Sequence, residues 1–349
     1  MMFVTCILQM CGGRVIVQKY SVRNLKSLVK SNYPFHVMKY LFPQIGDLPI
    51  DNPAQNAEGY FRSAKVTGLI EKQFHAGQSA VLLYAGGVPG MAYLLENGQG
   101  KSMALAEFSA IPQESLRNVR AIKFPDIAGR LALLSFESAL KLNSTITDDA
   151  VWREQVNQWK RDQWTGLVEI KSETLHGLVL LWQGELQESD IIFSTPLGLV
   201  TAFPHLDTLR DFPWNLLAYS LPASDQAYQY AVLRHGSMHW MNRILSRYQE
   251  LVGHKLLQTM DRELNQQAQP WSWKILFNES QVLDSHFFIY LNEAEQAYRA
   301  LFMSMGSQMN IVIGNILTQR LLNETFEQIH PDERAILQSL RLVPAAFSE

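Results

Sequence analysis

Four constellations in this chain carry residue types that can do chemistry. Gly98-Gln99-Gly100-Lys101-Ser102 has the ending of a phosphate-binding loop, in which backbone N–H groups cradle phosphates and a lysine reaches the outer ones. The pattern also demands a glycine five positions before Gly100, and position 95 is Leu95, so a polar turn is expected. His235 and His239 are four apart on a predicted helix, a spacing that puts both imidazoles on one face and suits zinc. No acidic residue follows His235, as the metalloprotease arrangement requires, and His254 and His286 become further ligands only if the fold gathers them. Structural or surface histidines are therefore expected. Cys6 and Cys11 have neither the spacing of a common zinc pair nor an identifiable histidine and acid to activate a thiolate. No serine sits in a Gly-x-Ser-x-Gly elbow, and Asp148 with Asp149, or Asp261 with Glu263, splay apart on a helix. The expectation is a chain without an active site, a metal or a cofactor.

Side chains suited to binding are more evident. Met238, Met241 and Met260 on one predicted helix, with Met303, Met305 and Met309 on another, form a methionine-rich stripe, and methionine adapts its shape on promiscuous surfaces or fills a core. Trp159, Trp164 and Trp182 gather in the middle of the chain, and Trp271 and Trp273 lie later. Tryptophan is common both in cores and as an interface anchor. Trp164, Trp182, Met238, Met241, Met305 and Met309 are the candidate interaction residues.

The rest of the composition bounds what these residues can serve. The 349 residues are 47% hydrophobic and 18% charged, enough for two or three cores and too apolar for disorder. Thirty basic against 33 acidic residues give a net charge of -3, which offers no electrostatic pull on nucleic acid. The longest apolar run, Met1 to Met10, is broken by Thr5 and Gln9 and falls short of the roughly 20 residues a spanning helix needs. Its first basic residue, Arg14, follows it rather than precedes it, so residues 1–18 read as a strand or hairpin and not as a secretory signal. Two buried thiols in a reducing cytoplasm fit the cysteine count.

An internal repeat organises the first two thirds. Thr67-Gly68-Leu69-Ile70-Glu71 returns as Thr165-Gly166-Leu167-Val168-Glu169, and a gapless offset of 98 then places Val81 to Gly86 on Val179 to Gly184 and Gly100 on Gly198. Each copy reads as a meander of three strands: Leu69 to Phe74, Val81 to Tyr84 and Met91 to Leu95 in the first, Leu167 to Lys171, Leu178 to Trp182 and Asp190 to Phe193 in the second. Pro89 and Gly90 are expected to interrupt the first copy, since proline lacks a ladder N–H. Asp148 to Gln163 predicts an amphipathic helix capped by Thr147 or Asp148, with Val151, Val156, Trp159 and Trp164 apolar. A strand over Ile122 to Phe124 and a helix over Asp126 to Leu142 complete the first copy. The polar cluster Asn143 to Asp149 reads as a linker, and Leu221 to Asp225 as a second boundary.

A helix, then Thr-Gly-Leu followed by Ile or Val, then a hairpin whose second strand ends in glycine resembles the PATAN-type domains of bacterial signalling proteins. The likeness covers roughly residues 60–110 and 150–205. It implies an adaptor of a signalling or regulatory pathway that binds other proteins and does no catalysis. No receiver domain with an acidic pair and a phosphoacceptor aspartate follows in this sequence.

The last third changes period. Apolar positions from Tyr228 to Met260 recur every three or four residues, predicting a long helix over Gln226 to Gln267 that could break at Gly236 or Gly253. A second helix is predicted over Asn292 to Glu324, strands over Trp273 to Phe277 and His286 to Leu291, and a short helix over Asp332 to Arg341. The expected fold is α+β: residues 1–147 and 148–222 as two related sheet-and-helix domains, then a helical domain, 225–349. The expected function is a cytoplasmic, non-enzymatic adaptor without membrane insertion, open to homodimerisation through 225–349. The rival expectation is a small-molecule sensor with a methionine and aromatic pocket in that helical domain.

Overall fold

The computed structural model describes residues 6–11, 14–19, 53–74, 78–96, 99–173, 176–195, 198–201 and 212–342. The chain divides into two compact units, Met1–Pro222 and Ala223–Glu349. Together they make an α+β protein, and no helix among the described residues is long and apolar enough to cross a membrane.

The first unit opens with a hairpin, β1 (Cys6–Cys11) paired antiparallel with β2 (Arg14–Lys19). Then come α1 (Pro53–Ala64), β3 (Gly68–Phe74), β4 (Ser79–Ala85), β5 (Val88–Glu96), β6 (Gln99–Met103), α2 (Leu105–Ser109), β7 (Leu116–Lys123) and α3 (Asp126–Glu137). The second copy follows as β8 (Ala139–Ile146), α4 (Asp149–Arg161), β9 (Gly166–Lys171), β10 (His176–Trp182), β11 (Glu185–Thr195), β12 (Gly198–Val200) and β13 (Trp214–Ser220). The sheet orders are β6-β5-β4-β3-β7 and β12-β11-β10-β9-β13-β8, antiparallel throughout. The two copies therefore share one topology, in which the last strand returns to pair beside the first.

The Thr-Gly signature is a latch. Thr67 Oγ1 accepts from the Gly86 N–H at 3.2 Å, and Thr165 Oγ1 accepts from the Gln183 N–H at 3.0 Å, each threonine holding the turn after its second strand. One residue back, the carbonyls of Val66 and Trp164 accept from Gly87 and Gly184 at 2.9 and 2.8 Å. A side chain at Gly68 would meet the Ile122 carbonyl at 2.3 Å, and one at Gly166 the Tyr219 carbonyl at 2.5 Å, so both glycines admit a neighbouring strand.

These bonds correct the gapless offset. Gly68 pairs with Tyr84, but Gly166 pairs with Leu181, not Trp182. Gln73 closes on Ser79 while Lys171 closes on His176, so the first hairpin is one residue longer. Beyond it Gly87, not Gly86, is the counterpart of Gly184, and Gly86 matches Gln183; their φ values agree, 85° with 81° and 53° with 52°.

Other expectations shift for local reasons. Strand β5 continues through Pro89 and Gly90, because the β4 ladder changes register between Leu82 and Tyr84 and takes the proline at the irregularity. The supposed linker from Asn143 is instead part of β8, an edge strand of the second sheet whose Lys141, Asn143 and Thr145 face solvent. The third strand of the second copy is longer than expected, Glu185–Thr195, and the helix from Asp126 stops at Glu137. Asp148 caps α4, its side chain accepting from the N–H groups of Ala150 and Val151 at 2.9 and 3.0 Å.

Helix α3 is buried on every side, from Ala128 to Phe136, because it packs against β4 and β6 of one sheet and β9, β10 and β11 of the other. The outer faces are covered by α1, whose Phe61 packs with Ile70, Leu82 and Tyr84, and by α4, whose Trp152 and Trp159 pack with Val168, Ile170 and Trp214. On α3 the guanidinium of Arg130 bonds Asp190 Oδ1 of β11 at 2.8 Å and the Ser189 carbonyl at 2.7 Å, a buried ion pair that ties the two copies.

The second unit is a bundle of α5 (Gln226–Val252), α6 (His254–Ala268), α7 (Leu291–Ile313) and α8 (Asn315–Phe326), with a hairpin of β14 (Ile275–Asn278) and β15 (Gln281–Asp284) and a closing α9 (Pro331–Ser339). Both long predicted helices are broken, one at Gly253 and the other at Gly314, which sequence periodicity does not mark. Gly253 (φ 82°, ψ 169°) and Gly314 (φ 79°, ψ 161°) lie in backbone space essentially reserved for glycine. Gly236, by contrast, stays inside α5, where it lets Glu333 of α9 approach.

Candidate interaction surface

The β14–β15 hairpin begins as a run with apolar side chains on both faces, Ile275-Leu276-Phe277 and Val282-Leu283. Alternation sends Ile275, Phe277 and Val282 inward, together with Asp284, and turns Leu276 and Leu283 outward. Glu279 and Ser280, both at positive φ, make the two-residue turn that matches strand twist. That places the second strand at Gln281–Asp284, earlier than the expected His286 to Leu291.

Helix side chains hold the hairpin by imitating ladder partners. The Asn265 amide of α6 donates to the Phe277 carbonyl and accepts from its N–H, both at 2.9 Å. On α5, Asn242 Oδ1 accepts from the Val282 N–H at 2.7 Å, and on α6 Asp261 Oδ2 accepts from Glu279 at 2.9 Å. Asp284 is the anchor: Oδ2 accepts from the Tyr298 hydroxyl at 2.5 Å and lies 3.4 Å from Arg234 Nε, while Oδ1 accepts from the His286 N–H at 2.9 Å. Burial first, and the Asp284 charge second, push the Tyr298 hydroxyl well above its ordinary range, so it keeps its proton and donates.

The outer face of this rigid platform is apolar. Leu276 and Leu283 are direct cross-strand partners and are 51% and 55% exposed. Four residues before the hairpin's first strand in the chain, Trp271 is 67% exposed and stacks on Trp273, ring centroids 5.8 Å apart, and Trp273 in turn meets Phe288 edge-on. Paired exposed leucines on a fixed backbone, and an exposed tryptophan just before them in the chain, have the chemistry of interface anchors.

The residues singled out by sequence lie elsewhere. Trp182, Met238, Met241, Met305 and Met309 are buried in the cores, and Trp164 is half-buried, stacked on Trp159 at 5.4 Å. These six are packing residues in this conformation. His235 and His239 do share a face, ring centroids 6.2 Å apart, and His239 Nδ1 bonds Glu333 at 2.8 Å. Among the described residues no group of three His, Cys, Asp or Glu side chains is placed to hold a metal. Lys101 and Ser102 belong to β6, and a side chain on Gly100 would strike the Phe136 carbonyl at 2.5 Å, so that glycine serves packing. Trp271 was noted among the tryptophans but not chosen, while Leu276 and Leu283 were missed by reading helical stripes. Their signal was three consecutive apolar residues in a two-stranded hairpin, which leaves one face uncovered by the helices beneath.

No family model matches this chain, and neither the curated proteins nor the solved structures contain a match.

Proposed function

We propose that this chain is a non-enzymatic adaptor that binds another protein through the outer face of the β14–β15 hairpin. The observation that carries this reading is the exposed Leu276–Leu283 cross-strand pair on a hairpin whose backbone is clamped by Asn242, Asp261 and Asn265, with exposed Trp271 four residues before the first strand in the chain. A preorganised apolar patch loses little side-chain and loop entropy on docking, which is where much affinity is otherwise lost. The partner that suits it presents an apolar segment of its own. The resemblance to PATAN-type domains supports a place in a signalling or regulatory pathway.

The test is quantitative co-purification at native abundance of wild type, Leu283→Asp and Trp271→Ala. Leu283 faces solvent, so Leu283→Asp should change stability by no more than about 0.5 kcal/mol, and Trp271→Ala, which loses the stack on Trp273, by about 0.5–1.5 kcal/mol. A defined partner enriched by wild type and lost from both variants is the expected result. An unchanged partner set in the variants, or no enrichment with wild type, rejects the reading.

A further inference from the structure

The helix bundle has a second exposed apolar region, built by its two glycine corners. Helices α5 and α7 run parallel, since Tyr230 lies close to Tyr298 and Trp240 packs on Phe302 at 4.6 Å. From that contact each helix continues for about 18–20 Å before its glycine, so Gly253 and Gly314 lie at the same end of the bundle. The return helices confirm the direction: Gln267 of α6 bonds the Ala300 carbonyl, and Phe326 of α8 packs on Trp240 at 4.9 Å. Each corner is a single residue. The Gly253 and Gly314 N–H groups bond Gln249 and Asn310 in the turn before, and their carbonyls accept from Leu257 and Thr318 in the turn after.

With no loop to carry polar residues, the corners expose the aliphatic side chains next to them. Leu251 and Leu256 flank Gly253, while Ile311, Val312, Ile316 and Leu317 flank Gly314, and Ile311 and Ile316 are 76% and 81% exposed. Such side chains offer an apolar area on the order of 500 Å², near the largest patch of a typical monomer and most of the ~800 Å² per partner of a stable interface.

The charge pattern identifies the occupant. From Ala300 to Gln319 the sequence has no charged residue. The charges bordering the corners neutralise one another: Arg247 pairs with Glu250, and Arg320 with Glu324 at 2.6 Å. Lys255 is the single lysine or arginine of 251–257 and 310–317, so the corners lack the basic cluster that draws an apolar tip to an anionic membrane. With His254 and Lys255 the only ionisable residues of 251–257 and 310–317, the patch repels its own copy little, and two similar corners side by side suit the self-complementary contact of a two-fold dimer. We infer that the corner surface formed by Leu251, Leu256, Ile311, Val312, Ile316 and Leu317 binds a second copy of this chain.

The experiment is sedimentation velocity of the full chain over a wide concentration range, with Ile316→Asp, Ile311→Asp and, as a control on the hairpin face, Leu276→Asp. Wild type and Leu276→Asp should show one monomer–dimer equilibrium, and each isoleucine variant should raise the dissociation constant at least about tenfold. Circular dichroism checks that the aspartate variants fold, and Ile316→Ser replaces Ile316→Asp if it does not. A wild-type monomer throughout, or a dissociation constant unmoved by the corner substitutions, overturns the inference. Binding of wild type, but not Ile316→Asp, to vesicles of phosphatidylcholine and phosphatidylserine also overturns it, by assigning the patch to lipid. Since Leu276→Asp probes only the hairpin, failure of that surface and failure of the corners are separable.

Discussion

His176 Nε2 lies 2.8 Å from Glu169 Oε1, inside a sheet, with both side chains buried. The second carboxylate oxygen accepts from the Tyr219 hydroxyl at 3.1 Å. Alternation explains the burial. Val168 and Ile170 face the α4 core, so Glu169 between them faces the opposite side of the sheet, toward α3. Its counterpart Glu71 is also fully buried, directly opposite Arg120 in the β3–β7 ladder. The acidic end of the repeated motif is thus an interior group in both copies, and in the second copy His176 of β10 and Tyr219 of β13 hold it there.

The Glu169 network should show coupled energetics. Replacing Tyr219 with Phe removes one donor from a buried carboxylate and should cost about 1–3 kcal/mol. In a Glu169→Met background the same Tyr219→Phe change should cost measurably less, because the oxygen it served is gone. Urea unfolding of the four proteins gives the cycle, and equal costs in both backgrounds would show that the bond carries no coupling.

Much of this sheet architecture was legible in advance because strand alternation, Thr-Gly and the turn glycines are local signals. The gap of one residue was not, since matching Gly86 to Gly184 satisfied the sequence and only the ladder reveals that Gly87 occupies that place. Strand β8 read as a helix end through Leu142 and a linker from Asn143, because an edge strand can be polar on its solvent side. The break at Gly314 hid inside an unbroken helical stripe: the apolar side chains around it keep helical spacing, and the φ of 79° that ends α7 is a property of one glycine. The candidate surface was the least legible part. Helical periodicity led to methionines that pack inside, whereas Leu276 and Leu283 become outward only once the hairpin register is set.

The corrected equivalence separates two adjacent glycines. Gly86 has open space around its missing side chain, and its counterpart is Gln183 at nearly the same φ, so Gly86→Gln should cost no more than the ~1–2 kcal/mol of a left-handed residue. At Gly87, with φ 85°, an added Cβ would sit 2.6 Å from the Phe61 carbonyl. Gly87→Ala should therefore add about 1–3 kcal/mol of steric overlap to about 1–3 kcal/mol of backbone strain. Denaturation midpoints rank the two variants, and a Gly86 variant as damaged as the Gly87 variant would contradict the equivalence.

Asp261 gives the second unit a pH dependence with a definite sign. Its Oδ2 accepts from Glu279, but its Oδ1 is buried without a hydrogen-bond partner among the described residues. Burial chiefly pushes the carboxyl above its ordinary range; the Glu279 charge adds to the rise, while the Glu279 N–H and His254 oppose it. The folded protein consequently holds this proton more tightly than the unfolded chain. Between the ordinary carboxylate range and the raised value, the native state binds more protons than the unfolded state, so stability falls as pH rises through that window. Asp261→Asn cannot ionise and keeps an oxygen to accept from Glu279. Its stability should lack that decline, making the wild-type minus variant difference grow more unfavourable with rising pH and level off above the window. Urea unfolding of both proteins across this pH range measures the difference directly, and parallel curves would mean that Asp261 is no more difficult to ionise folded than unfolded.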